Sequence, residues 1–324
     1  MEQPEPDLMP RRISYLRLSI IGKCDMECGY CIPCRRLSSA RDIPSLSLNE
    51  ISTLVRAFAE NGVTKVRLTG GEPLLRDDLV EIVRSVAATP GVSTVGLTTN
   101  GVRLGGLAGE LADAGLQCVN VSLDSLDRET FRRITGRDAL DDVLPGIDAA
   151  LRYPFQKVKL NTVVMRGLNE HEVPAIADFA GELGVEARFI ELMPLGHGSE
   201  EWRAMHVPAS EVRDILGYLD PLPYDGSSSA RLYRRAGHRA VIGIISPMSE
   251  DFCGGCSRVR VMCDGKLKPC LRLPVEEDIR PLIGRPELGE RLGEMLVRLS
   301  RCKLSGTAAA ESAVQSEDMC AVGG

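Results

Sequence analysis

The chain has no excess of positive charge: 39 Lys and Arg stand against 45 Asp and Glu, a formal net charge of -6 over 324 residues. General electrostatic attraction to nucleic acid is thereby disfavoured, and any polyanion has to be held by a local site. No uninterrupted apolar run approaches a membrane span. The opening residues, MEQPEPDLMP, are acidic and proline-bearing. They lack the basic and apolar regions of a secretory signal and the arginine-rich character of a transit peptide. The expectation is a soluble, cytoplasmic protein with neither a membrane nor a nucleic acid as partner. With 44% hydrophobic and 26% charged residues the composition is ordinary for a globular protein, long enough for one large domain or two.

Cysteine, by contrast, is abundant. Eleven are present, and most fall in two groups, Cys24 to Cys34 and Cys253 to Cys270. Such clustering argues for metal ligation in a reducing compartment over a disulfide framework. Cys118, Cys302 and Cys320 stand alone and read as small buried or incidental residues. Cys24, Cys28 and Cys31 follow the pattern C-x3-C-x2-C just after the apolar run Ile13 to Ile21. Three thiolates on a four-iron cube leave one iron open to chemistry. Cys34 extends the run, but the further cysteine and proline of a bacterial ferredoxin are absent. A zinc knuckle would have to choose four ligands from unevenly spaced thiols. Cys253, Cys256 and Cys270, at x2 and x13, again leave a cube one ligand short, while Cys263 would complete a four-cysteine zinc site. Spacing alone leaves zinc and iron-sulfur level for this second group.

From residue 13 to about 192, short β-branched runs alternate with amphipathic helical stretches, the pattern of βα units in a parallel sheet. The expected strands are Ile13–Ile20, Val63–Thr69, Ser93–Thr98, Gln117–Leu123, Lys157–Val164 and Ala187–Leu192. Between the first two, Ser47 and Glu50 have capping-box spacing, and Ile51, Leu54, Val55 and Phe58 form a helical stripe that Asn61-Gly62 ends. Leu79, Ile82, Val83 and Val86 repeat that stripe. The fold class is α/β: an incomplete (β/α)6 TIM-type barrel with a C-terminal α+β region. The divisions expected are an arm at 1–12, the barrel at 13–200, the C-terminal region at 201–304 and a tail at 305–324.

Alternate residues of a strand face opposite sides. One side reads Leu16/Leu18, Val66/Leu68, Val119/Val121/Leu123 and Val158/Leu160; the other reads Arg17/Ser19, Arg67/Thr69, Asn120/Ser122/Asp124 and Lys159/Asn161. Ordinary closed barrels fill the lumen with branched apolar side chains. This lumen is polar and cationic. Arg17, Arg67, Lys159 and Arg188, from four strands, converge either on a polyphosphate or on acidic neighbours such as Asp124. The turns after the second and third strands, Gly70-Gly71-Glu72-Pro73 and Thr98-Thr99-Asn100-Gly101, fall at the C-terminal end where barrel enzymes carry their chemistry.

The cysteine triplet with Tyr30 before its third member, together with the GGEP turn, resembles the radical S-adenosylmethionine (SAM) superfamily. Added to it, Tyr15 to Ser19, Arg67 to Leu74, Gly96 to Gly101, Val119 to Asp124, Arg188 to Pro194, the second cysteine segment with Arg258 and Arg260, and a terminal Gly323-Gly324 resemble the GTP 3',8-cyclase family of molybdenum cofactor biosynthesis. The likeness runs from about Arg11 to the end. It implies a lyase with two 4Fe-4S clusters, one on Cys24, Cys28 and Cys31 with SAM on its open iron, the other on Cys253, Cys256 and Cys270 facing the guanine of GTP. Tyr30, Gly71, Glu72, Ser122 and Met193 would line the SAM site. Arg17, Arg67, Thr98, Lys159 and Arg188, with Arg258, Val259 and Arg260, would contact the nucleotide, and Arg17, Gly323 and Gly324 would serve catalysis.

The implied reaction takes hydrogen from C3' of GTP and joins C3' to C8, giving 3',8-cyclo-7,8-dihydro-GTP. Implied partners are a reductant such as flavodoxin or ferredoxin and a downstream cyclic pyranopterin monophosphate synthase, with the chain a monomer or homodimer. The approach to the first cysteine, Ile20 to Asp25, and the Cys34-Arg35-Arg36 continuation depart from the family's usual pattern. Two other readings stand beside this one: a related radical enzyme acting on another nucleotide or a peptide, and a non-catalytic metal-binding or electron-transfer protein. The tail from Ser305 reads either as terminal disorder or as a segment whose last two glycines thread into a narrow site.

Overall fold

The computed structural model describes residues 12–31, 44–194, 199–224, 228–237, 239–250, 255–273 and 275–305. Cys34, Cys253, Gly323 and Gly324 lie outside the described residues.

All six expected strands form, as β1 (Tyr15–Ser19), β2 (Lys65–Thr69), β3 (Thr94–Thr99), β4 (Cys118–Ser122), β5 (Lys157–Val164) and β6 (Glu186–Glu191). They pair in parallel in chain order. The outer helices are α1 (Leu48–Glu60), α2 (Leu79–Ala87), α3 (Leu104–Asp113), α4 (Arg128–Thr135), α5 (Leu140–Leu151) and α6 (Val173–Leu183). Helix α1 starts on the capping box: Glu50 N–H donates to Ser47 Oγ at 3.3 Å and Ser47 N–H to Glu50 Oε2 at 2.8 Å. Its buried residues are those of the sequence stripe, Ile51, Leu54, Val55 and Phe58, joined by Ala57. They pack in one core with Leu16, Leu18, Leu68, Val119, Val121, Leu123 and Leu160, the apolar parity of the strands.

The remaining elements are α7 (Ser199–Met205), α8 (Ala209–Leu216), β7 (Leu219–Pro221), β8 (Arg231–Arg235), β9 (Val241–Ile245), β10 (Arg258–Val261), β11 (Lys266–Lys268), β12 (Glu277–Asp278) and α9 (Leu288–Ser305). Their strands continue the same sheet, whose order is β12-β11-β10-β1-β2-β3-β4-β5-β6-β9-β8-β7. The sheet thus runs across the residue 200 division. Strand β9 adds in parallel to β6 and β10 adds in parallel to β1, so two strands adjacent in sequence lie at opposite edges of the six-strand arc. This wrap carries the second cysteine segment around the open side and places it beside the first strand. No helix among the described residues is long and apolar enough to cross a membrane.

Candidate functional site

The first cysteine loop is clamped from several sides. After β1, Ile20 N–H donates to Thr69 O at 2.9 Å, Gly71 N–H to Ile21 O at 2.7 Å and Glu72 N–H to Lys23 O at 2.8 Å. The GGEP turn therefore runs in contact with the backbone that enters Cys24. A Cβ on Gly71 would overlap the carbonyl of Lys23, so only glycine permits this approach. Gly71→Ala is expected to displace the loop that enters Cys24 and lower the melting temperature by a few degrees, as one or two backbone hydrogen bonds are lost; thermal unfolding measures it.

On the other side, Glu27 N–H and Gly29 N–H donate to Thr135 O and Ile134 O at the end of α4. The Asp25 carboxylate accepts from Asn100 Nδ2 at 2.7 Å and pairs with Arg137 Nη1 at 2.8 Å. Tyr30 O–H donates to Asp124 Oδ2 at 2.8 Å, and Asp124 Oδ1 accepts from Val163 N–H. Burial pushes the Asp124 carboxyl up to about 6 against these hydrogen bonds. Glu72 is buried too, accepting from Leu74 N–H, Thr99 Oγ1 and Asn100 N–H, and burial lifts it to about 7 despite them. Its carboxyl ties the turn to the end of β3.

The opposite end of the site is cationic. In register across three parallel strands, Arg17 faces Arg67 on one side and Arg260 on the other, and Tyr15 faces Arg258. Arg67 donates from Nε to the Tyr15 hydroxyl at 2.7 Å and from Nη1 to Leu97 O at 3.0 Å. Gly96, its register partner on β3, leaves the room its guanidinium fills. Burial would raise the Tyr15 phenol, but Arg67, Arg17 and Arg258 outweigh it and bring the group down to about 8. Burial lowers Arg17 and Arg260; repulsion from Arg258 and Arg67 adds to it at Arg17, where Tyr15 opposes it, and repulsion from Arg17 and Arg258 adds to it at Arg260. Arg17 Nε is buried with no hydrogen-bond partner. Like charges brought together out of water are costly unless an anion joins them.

Both ends open into one cavity of about 300 Å³. Cys24, Cys28, Cys31, Tyr30, Gly71 and Glu72 line it from the loop side, with Ser122, Met193, Thr98 and Arg188 from the strand ends. Arg17, Arg258, Arg260, Cys256 and Cys270 line the far wall. The two cysteine groups, far apart in sequence, thus share a single chamber. Three expected contacts stand elsewhere. Val259 is fully buried on the helix-facing parity of β10, between the two lumenal arginines. Lys159 is off the cavity wall, buried and paired with Glu186 Oε2 at 3.0 Å. Arg67 lies behind Arg17, against Tyr15. Arg188 reaches the wall but is bound to Glu186 Oε1 at 2.5 Å, so Glu186, and not Asp124, is the acidic partner of these cations. Arg188 and Lys159 in turn hold the Glu186 carboxyl below its ordinary range although burial opposes them.

Asn120, Asn161 and Arg272 also line the cavity and were not among the expected contacts. The Oδ1 atoms of both asparagines are buried without partners. Their lumenal parity was the available signal; Arg272 had none beyond following Cys270.

The donor chemistry fits iron-sulfur clusters. Cys24, Cys28, Cys31, Cys256 and Cys270 form no disulfides and line one cavity, half-buried. Sulfur acceptors already meet N–H donors: Met26 N–H to Cys24, Arg258 Nε–H to Cys256 and Arg272 N–H to Cys270, at 3.3–3.4 Å. Among the described residues no three His, Cys, Asp or Glu side chains close around one point as a single ion requires. A cube spreads its thiolates wider than one zinc does. Cys263, the fourth ligand a zinc site would need, is buried away from the cavity wall, its thiol pushed up to about 11 by burial and by Asp264.

Residues 18–180 match the radical SAM superfamily, and residues 185–307 match Molybdenum Cofactor Synthesis C. The GTP 3',8-cyclase of Moorella thermoacetica is 43% identical over 287 residues, covering 87% of this chain and 88% of that protein. The GTP 3',8-cyclase of Marinobacter nauticus is 42% identical over 297 residues, covering 90% and 89%. The crystal structure of Streptococcus suis SuiB bound to S-adenosylmethionine superposes with a TM-score of 0.62 at 14% identity, covering 87% of this chain and 68% of that one, a likeness of fold. By identities of this size along nearly its whole length, over a barrel that gathers both cysteine groups at one cavity, the chain belongs to the GTP 3',8-cyclase family of radical SAM enzymes.

Proposed function

We propose that the chain converts GTP to 3',8-cyclo-7,8-dihydro-GTP, the first step of molybdenum cofactor biosynthesis. The observation that carries this reading is the shared chamber: a three-cysteine loop at one end, and Arg17, Arg258 and Arg260 with the second cysteine segment at the other. When bound, a 4Fe-4S cluster bearing SAM on its open iron supplies a 5'-deoxyadenosyl radical able to remove hydrogen from C3' of GTP.

Cys24, Cys28 and Cys31 would hold that cluster, and Gly71, Ser122, Tyr30 and Met193 would seat SAM. Arg17, Arg258 and Arg260 would grip the triphosphate, whose charge relieves their mutual repulsion. Cys256 and Cys270, with Cys253, would hold a second cluster against the guanine. Fixing base and ribose in one pose makes the ring closure intramolecular, and orientation then supplies much of the rate. With substrate seated, the chamber walls would keep water from reactive carbon centres. A flavodoxin- or ferredoxin-type reductant would supply electrons, and the product would pass to a cyclic pyranopterin monophosphate synthase.

Anaerobic incubation with SAM, a strong reductant and GTP, followed by mass analysis, tests the reading. The expected result is 5'-deoxyadenosine together with an isomer of GTP in which C3' is bonded to C8. Deoxyadenosine formed without the cyclised nucleotide rejects it.

A further inference from the structure

Glu191, at the end of β6, carries a buried carboxylate that the family resemblance does not use. Oε1 accepts from Ala209 N–H at 2.7 Å and from the Ser249 hydroxyl, while Oε2 accepts from Met248 N–H at 2.8 Å and Ser249 N–H at 3.0 Å. All four donors are neutral. A buried carboxylate so surrounded is an expensive choice for stability alone. What its acceptor-only chemistry provides is position, because two oxygens meet four converging donors and no amide of the same shape does.

The donors belong to two places that matter. Ala209 opens α8, and Met248 and Ser249 form the turn that leaves β9. Pro247 in that turn lines the cavity, and its carbonyl accepts from Arg272 Nη1 at 3.2 Å. Arg272 in turn donates its backbone N–H to Cys270 Sγ. On the other side, Glu191 stands two residues before Met193, which shares a second, smaller pocket with Gly29 and Tyr30 of the first cysteine loop. The turn is therefore gripped by the first half of the chamber through Glu191 and by the second half through Arg272.

We propose that Glu191 is a positioning residue: by fixing the 247–249 turn it sets the separation between the wall that carries Met193 and the wall that carries Cys270 and Arg272. The inference rests on the proposed cyclase reading. In its terms Glu191 leaves SAM binding alone and governs how the nucleotide is seated relative to it.

The test uses anaerobically reconstituted holoenzyme, wild type, Glu191→Gln and Ser249→Ala. Three quantities are read: the Kd of SAM, the Kd of GTP, and moles of cyclised nucleotide per mole of 5'-deoxyadenosine. For Glu191→Gln, whose amide turns N–H groups toward N–H donors, the expected outcome is a GTP Kd raised about 10-fold with the SAM Kd within about 2-fold, the scale of one lost charge-assisted hydrogen bond. The product ratio falls with the GTP affinity. Ser249→Ala keeps the carboxylate and its backbone donors, so it folds even if Glu191→Gln does not, and it moves the same two quantities in the same direction by about 2- to 5-fold.

Wild-type GTP affinity and product ratio in Ser249→Ala overturn the inference, as does an equal fall of SAM and GTP binding in either variant. Absence of cyclised nucleotide from the wild type is a different result, and it rejects the cyclase reading itself.

Discussion

Serine in place of Cys24, Cys28 or Cys31 is expected to abolish 5'-deoxyadenosine formation, a loss of at least about 10³-fold, because a cube with two thiolate ligands is not retained. The three thiols line one cavity, and the loop bearing them is held by GGEP, by the end of α4 and by the Tyr30–Asp124 hydrogen bond. Cys256→Ser or Cys270→Ser is expected to behave differently: SAM is still cleaved, and the cyclised nucleotide is lost. Cys263→Ser supplies the control, since this buried thiol stands off the cavity wall. Liquid chromatography of deoxyadenosine and of the nucleotide from each variant separates these outcomes.

Arg17→Met is expected to have opposite effects on binding and on stability. Arg17 is wedged between Arg67 and Arg260 in register, with a buried Nε lacking a partner. On the proposed reading, removing its charge takes away one or more charge-assisted hydrogen bonds to phosphate, each on the order of 1.5–3 kcal/mol, so GTP affinity falls by about 10- to 100-fold. The same change relieves repulsion and desolvation in the free protein, so its melting temperature rises by a few degrees, as for about 1 kcal/mol. A purely structural arginine gives the reverse pattern, with stability lost and affinity spared. Calorimetry with and without GTP reads both quantities on one sample.

Much of the fold was legible because each signal had a local cause. The parity of Arg17, Arg67, Asn120 and Asn161 against Leu16, Leu68, Val119 and Leu160 is enough to separate lumen from helix face. The capping box at Ser47 and Glu50 fixed where α1 begins. What the sequence hid was the fate of β9 and β10. Neighbouring strands usually pair with one another, whereas these two add to opposite edges of the arc, and no residue pattern in 241–261 marks that separation.

The site was legible to a similar depth. Alternation along β10 sends the Val259 side chain to the core between Arg258 and Arg260, which leaves only its backbone for the expected nucleotide contact. Glu186 shares a strand face with Arg188 two residues later, and that pairing was readable in the sequence although Asp124 was the acid considered. Glu191 stands in the Arg188 to Pro194 segment, but its bonding was not readable there: its four donors come from segments 18 to 58 residues away, brought to it by the start of α8 and by the pairing of β6 with β9.

The central claim is that two incompletely ligated cubes face one chamber, and Mössbauer spectroscopy with iron quantitation on anaerobically reconstituted protein tests it most directly. The account predicts two 4Fe-4S clusters, about eight irons per chain, with one cluster lost and the other retained when Cys24, Cys28 and Cys31 are all replaced by serine. A single cluster in the wild type, or zinc bound by the second cysteine group, would contradict it.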